Sequence, residues 1–184
     1  MNRCNWVNQN PKMIKYHDEE WGVPVFDDSK IFEFLVLESA QAGLSWEIVL
    51  NKRKGYKKAF DNFDYIKVAK YDDKKIAELI LNPEVIRNRL KINAAVNNAQ
   101  RFLEVQKEFG TFSKYIWSFV DGKPIQNKLK NQSDIQATTE ISDKLSKDLI
   151  KRGFKFVGST IIYAHMQATG MVNDHLTSCF KASS

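Results

Sequence analysis

The chain has 184 residues, 43% of them hydrophobic, which is enough for one good core or for two small lobes sharing a cleft. Its first residues are polar, with no apolar segment of signal-peptide type, and no run is long and apolar enough to span a bilayer. The expectation is a cytoplasmic protein with no membrane contact, where thiols stay reduced. Lys plus Arg exceed Asp plus Glu by 28 to 22, a net charge of +6, compatible with a polyanionic partner without specifying one.

From Ser29 to Ala42, the residues Ile31, Phe34, Leu35, Glu38 and Ala42 fall on one helical stripe. Asp28 or Ser29 is placed to cap its start, and Gly43 to end it in the left-handed conformation. Ser45 caps a second helix running toward Lys58, with Trp46, Val49 and Leu50 inward. Further helices are expected over 73–81, 85–109 (closed by Gly110), 113–120, 142–152 (closed by Gly153) and 159–169 (closed by Gly170). No segment alternates with strand periodicity, so the fold class is all-α. The polar stretch 121–139, with Gly122 and Pro124, reads as a long surface connection before a C-terminal unit.

Four groups of residues could carry chemistry. Glu38 lies on an apolar stripe, where a carboxylate is costly unless paired; it either caps a neighbouring loop or meets an Arg, or it floors a pocket for a donor-rich, preferably cationic ligand. Trp6, Trp21 and Trp46 crowd the first quarter of the chain with Tyr16, as core payload or as the walls of such a pocket. Cys4 and His17 near one end, and His175 and Cys179 near the other, supply the sulfur and nitrogen ligands of a closed tetrahedral zinc site; ordinary buried side chains or a Cys4–Cys179 disulfide are the alternatives. Finally, Lys151, Arg152 and Lys155 surround a hairpin with Gly153 and Gly158 that ends at a fresh helix N-terminus. That is either a simple turn or a contact for backbone phosphate, laid out like a helix-hairpin-helix DNA-binding motif.

The segments Arg3-Cys4-x-Trp6, Tyr16-His17-Asp18-x-Glu20-Trp21-Gly22-Val23-Pro24, Leu37-Glu38-x-x-Gln41-Ala42-Gly43-Leu44-Ser45-Trp46, Arg152-Gly153-Phe154-Lys155-Phe156-Val157-Gly158 and Gly170-x-Val172-Asn173-Asp174-His175 together resemble the 3-methyladenine DNA glycosylase I family. The resemblance runs through nearly the whole chain and implies an all-α helix-hairpin-helix glycosylase fold. It implies a single catalytic unit over 1–184 with two helical lobes, a DNA-binding hairpin over 142–170, and terminal regions 1–25 and 171–184 clasped by one structural zinc on Cys4, His17, His175 and Cys179. By the same resemblance, Glu38 and Tyr16 hydrogen-bond the excised base and carry catalysis. Trp46 stacks on the base, Trp6 and Trp21 wall the pocket, Gly43 and Leu44 press into the DNA, and Gly153, Lys155 and Gly158 grip its backbone.

The implied activity is monofunctional excision of 3-methyladenine from alkylated double-stranded DNA, releasing the free base and leaving an abasic site; a monomer is expected. Two departures from the wider superfamily bear on mechanism. Asn173 stands where a catalytic Asp is usual, and Ser159-Thr160 stand where lyase relatives carry a lysine. Both argue against Schiff-base strand cleavage. A DNA-binding module without chemistry is the second reading, opposed by the Glu38, Tyr16 and Trp46 cluster. A zinc hydrolase fails because the protein would fill all four metal positions.

Overall fold

The computed structural model describes residues 1–182. In chain order the helices are α1 (Pro11–Glu19), α2 (Asp28–Gln41), α3 (Trp46–Ala59), α4 (Tyr65–Val68), α5 (Asp73–Leu81), α6 (Arg89–Phe109), α7 (Phe112–Trp117), α8 (Glu140–Lys151) and α9 (Ser159–Ala168). Two short strands, β1 (Ile125–Gln126) and β2 (Val172–Asn173), pair in parallel with Ile125 opposite Val172. The molecule is thus mostly helical, as the periodicity predicts. No described helix is long and apolar enough to cross a membrane.

Helix α2 is the axis on which the rest packs. Its sequence predicts one buried stripe, but every residue from Ile31 to Ala40 except Glu33 is buried. The reason is that α3, α6, α7 and α9 all pack against it, and a helix enclosed on several sides has no solvent face to keep polar. Ala42 leaves the stripe altogether as the residue that ends the helix. The start also differs: Asp27, not Asp28 or Ser29, caps α2 by accepting the Lys30 N–H at 2.8 Å. Asp28 turns away to accept the Phe112 and Ser113 N–H groups at 2.9 and 2.8 Å, capping α7 instead. At the other end, Lys91 of α6 donates to the carbonyls of Ala40 and Ala42 at 2.8 and 2.6 Å, placing a cation where the helix dipole is negative.

Several boundaries shift for local reasons. Helix α1 escapes the periodicity reading because it buries only Met13, Tyr16 and His17; its start is set by Pro11 in the first turn and by the Asn10 side chain. Helix α6 begins at Arg89, capped by Asn88, rather than at 85. The 121–139 connection is more than surface: it carries β1 and lends two residues to the cavity described below. Helix α8 ends as the glycine predicts. Gly153 takes a φ of +89°, and the Phe154 N–H reaches back to the Leu149 carbonyl at 3.0 Å.

Residues 22–25 are strapped to the end of α9. The Gly22 and Val25 N–H groups donate to the carbonyls of Gln167 and Thr169 at 2.9 and 3.0 Å, and the Trp117 indole donates to the Val25 carbonyl at 2.8 Å. Gly170 makes the strap possible, since it sits at a φ of +66° and a Cβ there would lie inside the Val23 and Pro24 backbone. Gly170→Ala is therefore expected to destabilise the protein by about 2–4 kcal/mol, combining a strained φ with overpacking. Urea unfolding at equilibrium checks this.

Candidate functional site

A cavity of about 290 Å³ opens between α2, α9 and the N-terminal segment. Trp6, Met13, Tyr16, Trp21, Glu38, Gln41, Trp46, Ala164 and Gln167 line it, with Gln132 and Ile135 of the long connection. The enclosed helix α2 places Glu38 there: Asp28 bonds the start of α7 and Glu33 pairs with Lys30 and Arg53, but the Glu38 carboxylate has no solvent face to turn to. Glu38 is 4% exposed and has no hydrogen-bond partner among the described residues. Burial alone pushes its carboxyl up to about 8. Tyr16 is also buried, and its hydroxyl is raised well above the usual phenol range by burial and then by the Glu38 charge.

Aromatic rings stand around these two groups. The Trp46 and Tyr16 centroids are 5.0 Å apart, Trp6 and Tyr16 6.3 Å, and Trp6 and Trp21 5.0 Å in an edge-on contact. The indole N–H groups of Trp6 and Trp46 are buried without a partner. Buried polar groups are ordinarily hydrogen-bonded. Both of these indoles belong to residues that line the cavity, whereas Arg101 Nε, also buried and unpaired, lies on α6 away from it. Glu38 is the only acid among the lining residues.

A second cavity of about 180 Å³ shares Glu38, Gln41 and Ala164 with the first and continues the cleft outward, past Gly43 and Leu44 on one side and Thr160 and Ile161 on the other. Gly43 has a φ of +77° and holds Leu44 at the rim, 36% exposed. The first turn of α9 faces that rim, with Gly158 before it, where a Cβ would touch nothing in the protein. Gly153 and Lys155 lie farther along the same hairpin, outside the cleft. Asn98 braces Lys155 from α6, bonding both its N–H and its carbonyl at 2.8 Å, and leaves its side chain exposed. Arg152 is not available to a ligand as the sequence suggests. It pairs with Asp148 and Glu108 at 2.7 and 2.6 Å and lies over the Phe109 and Tyr115 rings.

Cys4, His17, His175 and Cys179 come together in one buried group whose ligand atoms all lie within 4.8 Å of one another, an arrangement that could hold a metal ion. The two cysteines are not bonded to each other. The Cys179 sulfur is 3.4 Å from His17 Nε2 and 3.5 Å from His175 Nδ1, and the Cys4 sulfur is 3.6 Å from His175 Nδ1. The far nitrogens are anchored: His17 Nδ1 on Asp18 at 2.8 Å, which Arg3 grips in turn, and His175 Nε2 on the Trp21 carbonyl at 3.0 Å. Burial pushes Cys4 up to about 12 and His175 down to about 4, so the pocket favours uncharged ligands until a cation arrives.

Sequence reasoning did not find Met13, Gln41, Ala164, Gln167, Gln132 or Ile135. Thr160, Ala164 and Gln167 do follow a helical i, i+4, i+7 spacing, so their shared face was available as a signal. Gln132 and Ile135 come from a loop without periodicity and had none. Asn173 and Asp174 do not line the cavity: Asn173 accepts from the His175 N–H at 3.1 Å, and Asp174 is fully buried behind α9. His165 is a core residue, its Nε2 against the Ile31 carbonyl at 3.2 Å and its ring held neutral by burial, down to about 4.

Known proteins resemble this chain over nearly its whole length. The sequence model of the methyladenine glycosylase family matches residues 6–182. The DNA-3-methyladenine glycosylase 1 of Escherichia coli (strain K12) is 47% identical over 179 residues, covering 97% of this chain and 96% of that protein. A crystal structure of 3-methyladenine DNA glycosylase I superposes with a TM-score of 0.95 at 47% identity, over 98% of this chain and 99% of that one. The 3-methyladenine DNA glycosylase I of Staphylococcus aureus, whose structure describes 3-methyladenine recognition, gives 0.96 at 37% identity, over 100% of this chain and 98% of that one. With the family's sequence model spanning all but the ends and nearly half of all residues shared with the E. coli enzyme, this chain belongs to the methyladenine glycosylase family.

Proposed function

We propose that this enzyme flips 3-methyladenine out of alkylated duplex DNA, binds it in the Glu38 cavity and hydrolyses its N-glycosidic bond, leaving an intact abasic strand. The observation that carries this reading is the unpaired, buried Glu38 carboxyl facing a cavity walled by Tyr16, Trp6, Trp21 and Trp46. Methylation at N3 gives the base a positive charge, so the bond to the sugar is already weakened. When it breaks, the base takes the electron pair and leaves neutral, while water adds to the sugar carbon and gives up a proton to solvent. Glu38 and Tyr16 hydrogen-bond the base and Trp46 stacks on it. With no other acid lining the cavity, the charge on the base supplies most of the driving force.

The chain is read as one catalytic unit of two helical lobes, with the 142–170 hairpin as the DNA-binding motif. Gly43 and Leu44 enter the duplex beside the vacated position, and Gly153, Lys155 and Gly158 carry the backbone phosphates. Zinc on Cys4, His17, His175 and Cys179 is the structural clasp of the termini. In tetrahedral zinc with ordinary bond lengths, sulfur and nitrogen lie about 3.5 Å apart, which the observed separations support. Four protein ligands leave such an ion no open position, so its contribution is to folding.

Affinity should report the charge on Glu38. A permanently cationic adenine alkylated at N3 and N9 binds the ionised carboxylate, so its apparent affinity should fall about tenfold per pH unit below 8. Glu38→Gln is expected to abolish that slope and to cost roughly ten- to hundredfold in binding, read by tryptophan fluorescence. Because the folded-state value lies above the unfolded 4.5, Glu38 costs stability that grows as pH rises from 4.5 through 8. Glu38→Gln should therefore melt no lower than the parent at pH 8; unfolding with normal base binding in the folded fraction would make Glu38 a structural carboxylate.

Metal analysis should return about one zinc per chain, and Cys179→Ser should lose it and lower the melting temperature before base preference changes. Lys155→Ala is expected to weaken binding to undamaged duplex and reduce its salt slope by about 1, leaving free-base affinity unchanged.

A further inference from the structure

Lys91 is out of place in its own helix. It is the third residue of α6, where the positive end of the dipole disfavours a cation. Its side chain reaches instead to the end of α2 and donates to the Ala40 and Ala42 carbonyls at 2.8 and 2.6 Å. The Ala40 bond is ordinary capping of a helix C-terminus. The Ala42 bond does something further, because Ala42 has already left the helix, with φ −42° and ψ 114°. Gly43 follows at φ +77°, and the Leu44 N–H donates to the Gln41 carbonyl at 2.6 Å, so residues 41–44 form a type II turn. Types I and II differ by about a half-turn of the central peptide, here the one that joins Ala42 to Gly43. Its carbonyl is the one that Lys91 holds. In a planar trans peptide the carbonyl and the N–H point in opposite directions, so the Gly43 N–H is turned away from Lys91. It has no partner among the described residues, and Gly43 is exposed.

We infer that Lys91 is a positioning residue for base extrusion, holding the turn that carries Leu44 so that it meets the duplex with its central carbonyl turned in and its N–H turned out. This rests on the entry of Gly43 and Leu44 into the duplex proposed above, and deepens it. Nothing else in the turn enforces that form. Glycine permits a positive φ without requiring it, and a Cβ on Gly43 would meet nothing, so packing does not fix the peptide either. Lys91 is the only side chain that hydrogen-bonds the 40–44 backbone among the described residues. Rotated to type I, the Ala42 carbonyl would point out of the rim, setting an acceptor against a partner dense in negative charge. A wedge must also keep its place while bases unstack against it. Two bonds from a single ammonium tie the turn to α6, which is anchored in the core through Ile92, Ala95 and Ala99.

The test follows release of 3-methyladenine from methylated duplex by the full chain, in the parent, Lys91→Met, Leu44→Ala and the double variant. Lys91→Met should bind free 3-methyladenine as the parent does, yet excise it from duplex about tenfold more slowly. On top of Leu44→Ala the same change should cost less than about twofold, because residues that act as one unit are not additive. The Gly43 amide resonance, followed by NMR, should shift or broaden in Lys91→Met as the central peptide is released. If Lys91→Met does not fold, the same comparisons with Lys91→Gln, which keeps a donor without the charge, decide. An unchanged excision rate, an undiminished loss in the Leu44→Ala background or an unmoved Gly43 resonance overturns this inference and leaves the wedge standing. A salt slope for undamaged duplex lower by about 1 would make Lys91 a phosphate contact and overturn it as well. Leu44→Ala excising like the parent removes the wedge reading, and this inference with it, while the pocket stands. A parent that releases no 3-methyladenine removes the proposed function and this inference together.

Discussion

The site depends on one constraint: a poorly patterned N-terminal segment must be held against the end of α9. Three of the four aromatic walls, Trp6, Tyr16 and Trp21, lie before residue 25, while the floor comes from α2 and the far side from α9. Backbone bonds from Gly22 and Val25 to the end of α9 supply part of that hold. The Cys4, His17, His175 and Cys179 group supplies another part, and it is not remote from the cavity. Trp6 meets the His17 ring edge-on with centroids 5.4 Å apart, and Trp21 meets the His175 ring at 4.7 Å. The walls of the pocket are also the packing around the cluster, so order in one is order in the other.

Set against that hold is what the cavity withholds from the fold. Burying a carboxyl and a phenol, and two indole N–H groups without partners, is unfavourable. The neighbouring polar groups are satisfied: Arg53 pairs with Glu20 and Glu33, and Asp174 has three donors. Much of the unmet hydrogen-bonding capacity thus lies around the cavity that a ligand would cover, Arg101 Nε on α6 being outside it. The enclosure of α2 enforces this, since a helix packed on several sides cannot turn Glu38 toward water.

Much of this was legible in the sequence wherever local chemistry decides the outcome. Gly43, Gly110 and Gly153 end their helices at positive φ, Ser45 caps α3, and Glu38 on an apolar stripe is an anomaly that the fold does not relieve. What could not be read depends on tertiary context. The choice of Asp27 over Asp28 as a cap is settled by α7, which needs Asp28 for itself. The role of Arg152 is settled by Glu108, forty-four residues away. Gln132 and Ile135 reach the cavity through a connection whose path is fixed by the pairing of β1 with β2, two residues long and without periodic signal. The residues of the candidate pocket and metal group were nameable, then, but the supports that orient them were not.

The proton on Glu38 has a consequence for how such a protein can travel along DNA. A duplex is dense in negative charge, and an ionised carboxylate on the floor of a cleft set against it would repel it. With its carboxyl held up to about 8, the empty cavity is uncharged near neutrality and puts no repulsion in the way of sliding contact with intact DNA. A cation entering the cavity reverses the balance, because its field favours release of the proton. On the proposed reading, the negative charge that would hinder a search is thus absent from the empty cavity and appears when there is a positive base to hold.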